Sequence, residues 1–212
     1  MTNHGTQHID FGGLTVEFDD RVLRPRPWTI AQSYWAADLL RAAPAGPVLE
    51  LCAGVGHIGL LAVAGTPRPL VLVDLDATAC DFARANTEAA RPEGPVQIRR
   101  GRVDTVLGDE ERFVGIIADP PWVPSAVTGQ FPDDPLTAID GGPDGMHVAW
   151  ACLEVAAGHL LDQGWLLIQL GTVEQADAVQ ERLATAPEMG LKVVELREYG
   201  TNGVLVHVAR PG

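Results

Sequence analysis

The chain has 212 residues, 46% of them hydrophobic, and a formal charge of −13 from 15 Lys+Arg against 28 Asp+Glu. That is enough apolar material for one well-buried domain and little for a second. A surface this acidic disfavours nucleic acid as a substrate, because a phosphate backbone is normally held by Lys and Arg; the local basic clusters are Arg21, Arg24 and Arg26, and separately Arg99, Arg100 and Arg102.

In chain order, residues 1–8 are polar and are expected to be disordered. Leu14, Val16 and Phe18 alternate with polar residues as a strand does, Asp19-Asp20 marks a turn, and Val22-Leu23 is expected to return as the second strand of a hairpin. Pro25 and Pro27 stop it, and Thr29 caps a helix that runs to about Ala43. Val48 to Leu51 is a short strand, followed by a glycine-rich turn and a helix over 58–64. Strands are then expected at 70–73, 96–98 and 113–118, with a helix over 78–90. Residues 123–141 form a loop long enough to act as a lid. A helix over 147–161, a strand at 165–170, a helix over 173–184 and strands at 191–197 and 203–208 complete the chain. Apolar strands alternating with helices imply an α/β fold of Rossmann-like, doubly wound type: a mostly parallel seven-stranded sheet with helices on both faces. The expected division is a tail, hairpin and helix over 1–46 covering the active site, and a cofactor-binding domain over 47–212.

Cys52, Cys80 and Cys152 are scattered and show no Cys/His ligand spacing, so neither a disulfide frame nor a metal site is expected. No secretory leader is evident and no apolar run approaches the ~18 residues that span a membrane. A cytoplasmic protein with no membrane association is the expectation; the oligomeric state stays open.

Gly54-Val55-Gly56-His57-Ile58-Gly59 follows a strand and opens a helix, and Asp74 ends the next strand. Glycines admit close backbone approach to a ligand, and an Asp there can accept the hydroxyls of a ribose, so an adenosine-containing cofactor is expected. Glu50, inside the preceding strand, suits the ammonium of S-adenosylmethionine better than it suits a dinucleotide. The Tyr-x-x-x-Lys pair of a short-chain dehydrogenase is missing. The cofactor expected is therefore S-adenosylmethionine, held by Glu50, Gly54, Gly56 and Asp74.

Asp119-Pro120-Pro121-Trp122 ends the strand at 113–118. Two prolines make this a stiff turn. It gathers an acceptor side chain, free carbonyls and an aromatic face in one place, a device suited to a planar group with N–H donors.

These residues resemble a class I S-adenosylmethionine-dependent methyltransferase of the HemK type, the glutamine methyltransferases that modify release factors. Residues 22–29, Val-Leu-Arg-Pro-Arg-Pro-Trp-Thr, resemble the family's V-L-I-P-R-P-E-T. Residues 49–56 resemble its D-L-G-T-G-S-G loop, and residues 119–122 its N-P-P-Y. Residues 138–145 resemble A-L-D-G-G-x-D-G, and Leu170-Gly171 followed by Gln175 resembles E-I-G-x-x-Q. The resemblance implies that Asp119 and the Pro120 carbonyl hold a nitrogen nucleophile while Trp122 stacks on its planar group. It adds Cys52, Asp104 and Asp119 to the cofactor contacts, and Arg26, Trp28, Pro121 and Trp122 to the substrate contacts. His57 and His147 are further candidates to face the site. The family's N-terminal helical domain has no counterpart in this sequence, Asn and Tyr of N-P-P-Y are replaced, and Gly-Asp after the third strand reads Gly101-Arg102. The expected activity is N-methylation of an amide or amino nitrogen, first in a small molecule or peptide. Alternatives are a protein glutamine reached with a partner subunit, a nucleic-acid amine, and a non-catalytic module that binds S-adenosylmethionine or a nucleotide.

Overall fold

The computed structural model describes residues 5–212. Its first element is a hairpin, with β1 (Gln7–Phe11) antiparallel to β2 (Leu14–Phe18). The turn is Gly12-Gly13, both with positive φ (63° and 92°), as a tight two-residue hairpin turn requires. The hairpin thus lies one strand earlier than expected. Val22-Leu23 does not pair, and Gln7 and His8, expected to be disordered, belong to β1; the part of that expectation that falls on residues 1–4 lies outside the described residues.

A short 3-10 turn (Pro27–Thr29) leads into α1 (Ile30–Ala42). The alternation then proceeds as expected through β3 (Val48–Leu51), α2 (His57–Ala62), β4 (Leu70–Asp74), α3 (Ala77–Ala90), β5 (Val96–Arg100) and β6 (Phe113–Ala118). The 123–141 stretch carries a 3-10 turn (Ser125–Gln130) and the single-turn α4 (Leu136–Ile139). α5 (His147–His159), β7 (Leu160–Leu170), α6 (Val173–Thr185), β8 (Lys192–Glu198) and β9 (Val204–Ala209) follow.

The main sheet has the order β5-β4-β3-β6-β7-β9-β8, with β9 antiparallel to both neighbours and the other pairings parallel. Side chains alternate along each strand, so the two faces feed two cores. Val48, Leu72, Ile117 and Leu167 face one core with Trp35, Leu40, Phe82 and the hairpin residues Phe11, Val16 and Phe18. Leu49, Leu51, Ile116 and Leu166 face the other, with Leu153 and Val179. This is why the strands read as continuous apolar runs. The chain order reverses between β3 and β6, and at such a switch point the carboxyl ends of the strands open a crevice. Among the described residues, no helix is long and apolar enough to cross a membrane.

Candidate active site

The loop after β3 folds through left-handed positions at every second residue: Cys52 (φ 57°), Gly54 (52°) and Gly56 (81°). A Cβ on Gly56 would press on Leu72, and one on Gly59 would strike the Glu50 carboxylate, so these two glycines serve close packing. A Cβ on Gly54 would meet nothing within 4 Å; there the loop offers bare backbone to open space. Asp74 fixes the loop from the next strand. Its Oδ2 accepts from Gly54 N at 2.7 Å and its Oδ1 from Asp76 N at 2.8 Å.

The loop forms one wall of a cavity of about 200 Å³ at the switch point. Cys52, Gly54, Asp74, Asp104, Asp119, Pro121 and Arg26, all expected at the site, line it together with Arg24, His57 and His147. Gly56, Glu50, Pro120, Trp28 and Trp122 do not. Glu50 lies behind the wall, 1% exposed, with Oε2 accepting from Gly59 N at 2.9 Å and Oε1 without a partner. Burial holds its carboxyl well above the usual range, and the nearby Asp119 and Asp74 add to this against the Gly59 bond. Trp122 leans away from the cavity: its ring covers Gly171, where a Cβ would overlap Cε3. Trp28 is exposed, under the Arg26 guanidinium 5.7 Å from its ring centre.

Asp119 stands at the end of β6, and burial pushes its pKa up to about 7. Burial also raises Asp74, against the opposing bonds from Asp76 and Gly54. Asp104 is held low by its pair with Arg102. His57 is 8% exposed, and burial lowers its pKa to about 3.

The turn at 119–122 is braced from three sides. Gln175 accepts from Gly171 N at 2.9 Å and donates to the carbonyls of Trp122 (3.0 Å) and Asp144 (3.3 Å). The 138–145 loop packs beneath it, since a Cβ on Gly141 or Gly145 would strike the Pro121 or Trp122 carbonyl. From α1, buried Gln32 donates to the carbonyls of Ala118 (2.9 Å) and Leu167 (3.1 Å). Asn86 of α3 donates to the carbonyls of Val55 and Glu17, both at 3.0 Å, and so ties the hairpin to the glycine loop. Sequence reasoning missed the bracing roles of Gln32 and Asn86. The signal was present: each is a polar residue spaced among core residues of its helix, Gln32 with Trp35 and Ala36, Asn86 with Phe82 and Ala83. It also missed Asp134, which accepts from Arg26 across the cavity mouth at 2.6 and 2.7 Å.

Open backbone at Gly54, a carboxylate at Asp74 and a carboxyl at Asp119 in one cavity match the donor and acceptor needs of an adenosyl sulfonium cofactor. Comparison with known proteins agrees. A family model described as Methyltransferase small domain matches residues 34–130. The release factor glutamine methyltransferase of Pseudomonas aeruginosa is 32% identical over 202 residues, 92% of this chain and 70% of that protein. The enzyme of that name from Gloeobacter violaceus is 30% identical, over 83% of this chain, and the ribosomal protein uL3 glutamine methyltransferase of Bradyrhizobium diazoefficiens is 30% identical, over 75%. The matches span 63% and 54% of the lengths of these last two. Two solved structures share the fold. One is the hMettl16 catalytic domain, with a TM-score of 0.75, 14% identity, and 93% of this chain and 74% of that one covered. The other is a methyltransferase from Pyrococcus furiosus, with a TM-score of 0.64, 19% identity, and 95% and 90% covered.

Proposed function

The chain belongs to the HemK-type, release factor glutamine methyltransferase family of class I S-adenosylmethionine-dependent methyltransferases, and on that premise we propose that it methylates the side-chain amide nitrogen of a glutamine in a protein. The observation that carries the reading is the Asp119-Pro120-Pro121-Trp122 turn, braced by Gln175 and opening onto the same cavity as the glycine loop. The glutamine methyltransferases among its relatives move the preference from a small molecule or peptide to a protein glutamine.

Gly54, Asp74 and Asp104 would hold the cofactor, with Cys52 on the cavity wall. Bound S-adenosylmethionine supplies an electrophilic methyl group on a sulfonium. The chain's own residues orient the acceptor. The Asp119 carboxylate, which lines the cavity, accepts an N–H of the amide and so turns the nitrogen toward the donor; positioning of this kind contributes on the order of 7–11 kcal/mol to such reactions. With a pKa of about 7, the Asp119 carboxylate oxygen is also suited to receive the proton that the methylated nitrogen sheds. Arg26 and Thr29 from the N-terminal segment and Pro135 and Thr137 from the 123–141 stretch lie around the cavity and would frame the substrate. A partner subunit that presents the glutamine, at a cytoplasmic site of translation, fits this reading.

The test is incubation with methyl-labelled S-adenosylmethionine and either a bacterial release factor or ribosomal protein uL3, followed by mass spectrometry of tryptic peptides. The expected product is a methylated glutamine, absent with Asp119→Ala although S-adenosylhomocysteine still binds that variant. Label that goes only to a small molecule or a nucleic acid would replace the reading.

A further inference from the structure

His57 sits between the second glycine of the loop and the body of α2, yet it is not one of the loop's packing residues. His57 lines the cavity while only 8% of the residue is exposed. Phe11, wholly buried at the end of β1, meets the ring edge-on with centroids 4.7 Å apart, and so fixes its orientation from the hairpin. Nδ1 is sealed from solvent and has no hydrogen-bond partner. A buried N–H with no acceptor costs about 1–3 kcal/mol. The proton of a neutral imidazole is therefore better carried on Nε2, which is not among the sealed, unpartnered atoms. Burial keeps the ring neutral, with its pKa lowered to about 3.

We propose that His57 is a cofactor-binding residue, whose Nε2–H donates to an oxygen of bound S-adenosylmethionine, and that Phe11 makes the N-terminal hairpin part of the cofactor site. The proposal rests on the cofactor assignment above. A neutral donor suits this position, because a second cation facing the sulfonium would repel it. Asn86 supports the same coupling independently, since its bonds to Glu17 and Val55 hold the hairpin against the loop that carries His57.

The decisive measurement is calorimetric binding of S-adenosylhomocysteine to the full chain and to two variants. His57→Phe keeps an aromatic ring against Phe11 and removes both nitrogens. His57→Gln returns a donor near the position of Nε2. Expected are affinity roughly tenfold weaker for His57→Phe, as one buried hydrogen bond implies, partial recovery for His57→Gln, and an unliganded melting temperature for His57→Phe no lower than that of the parent. Equal affinity of parent and His57→Phe would overturn the inference and leave the methyltransferase reading standing. No binding to the parent would overturn both. Should His57→Phe fail to fold, nitrogen NMR of histidine-labelled parent protein decides. The His57 ring signals are expected to move on saturation with S-adenosylhomocysteine; unmoved signals would overturn the proposal.

Discussion

Arg26 donates through Nη2 to both carboxylate oxygens of Asp134, at 2.7 and 2.6 Å, and so joins the N-terminal segment to the 123–141 stretch over the mouth of the cavity. Neither side chain is fully exposed, at 32% and 15%. Partial burial leaves the pair less screened by solvent than a fully exposed one.

Breaking that clasp is expected to affect the acceptor rather than the cofactor. Arg26→Ala and Asp134→Ala should each raise the acceptor KM about tenfold while S-adenosylhomocysteine affinity stays within about twofold. In the double variant the effects should not add, which is the signature of direct coupling. Steady-state kinetics with calorimetry checks it.

Asp119 and His57 pull the stability of the protein in opposite directions with pH. Asp119 is raised in the folded state, from 3.8 to about 7, so its ionisation opposes folding above 7 and that cost is relieved as pH falls toward 3.8. His57 is lowered, from 6.5 to about 3, so its neutrality costs stability as pH falls below 6.5. The windows overlap and the two effects offset each other. Asp119→Asn is expected to stabilise at pH 8, by at most about 4 kcal/mol, and to lose stability more steeply than the parent between pH 6.5 and 4. Denaturant unfolding at pH 8, 6 and 4.5 tests both limbs.

Gln175 satisfies three backbone groups from three separate loops. Gln175→Ala leaves them unpaired at a buried place, and is expected to cost about 2–4 kcal/mol. It should also lower kcat by more than it changes cofactor affinity, since the Trp122 carbonyl loses its anchor. Urea denaturation and single-turnover methylation would show whether the two losses go together.

Gly171→Ala puts a methyl group into the ring of Trp122. Overpacking of this kind costs about 1–3 kcal/mol. The indole can yield only by swinging from its seat, so turnover is expected to fall and indole fluorescence to shift. Unchanged turnover would show that the seat of Trp122 is irrelevant to the chemistry.

The mostly parallel sheet with helices on both faces was legible because strands buried on both faces must read as apolar runs, and β3, β4, β6 and the second half of β7 all do. That the glycine loop and Asp119 lie together at the strand ends was legible because both are marked by residue type at short spacing. The hairpin was misplaced because β1 shows only Ile9 and Phe11 as apolar residues, and its turn lies at Gly12-Gly13, before the stretch that alternates most clearly. Trp122 was expected to stack on substrate. Its true seat depends on Gly171, 49 residues further along, and nothing local in the tetrapeptide encodes that contact. Glu50 was expected to face the cofactor, but strand alternation turns it under α2, where Gly59 lies.

Gln32 bonds two carbonyls that belong to different strands, Ala118 of β6 and Leu167 of β7. Those acceptors lie 86 and 135 residues away in sequence, and they come together only once β6 and β7 have paired. α1 can meet α2 early, since Ser33 Oγ donates to the Ile58 carbonyl, but the Gln32 bonds must wait for β6 and β7. Long-range closures of this sort slow folding. Full protection of the α1 amides is accordingly expected late in refolding, after that of β3 and β4, and the Gln32 side chain stays without its strand partners until most of the domain has been synthesised.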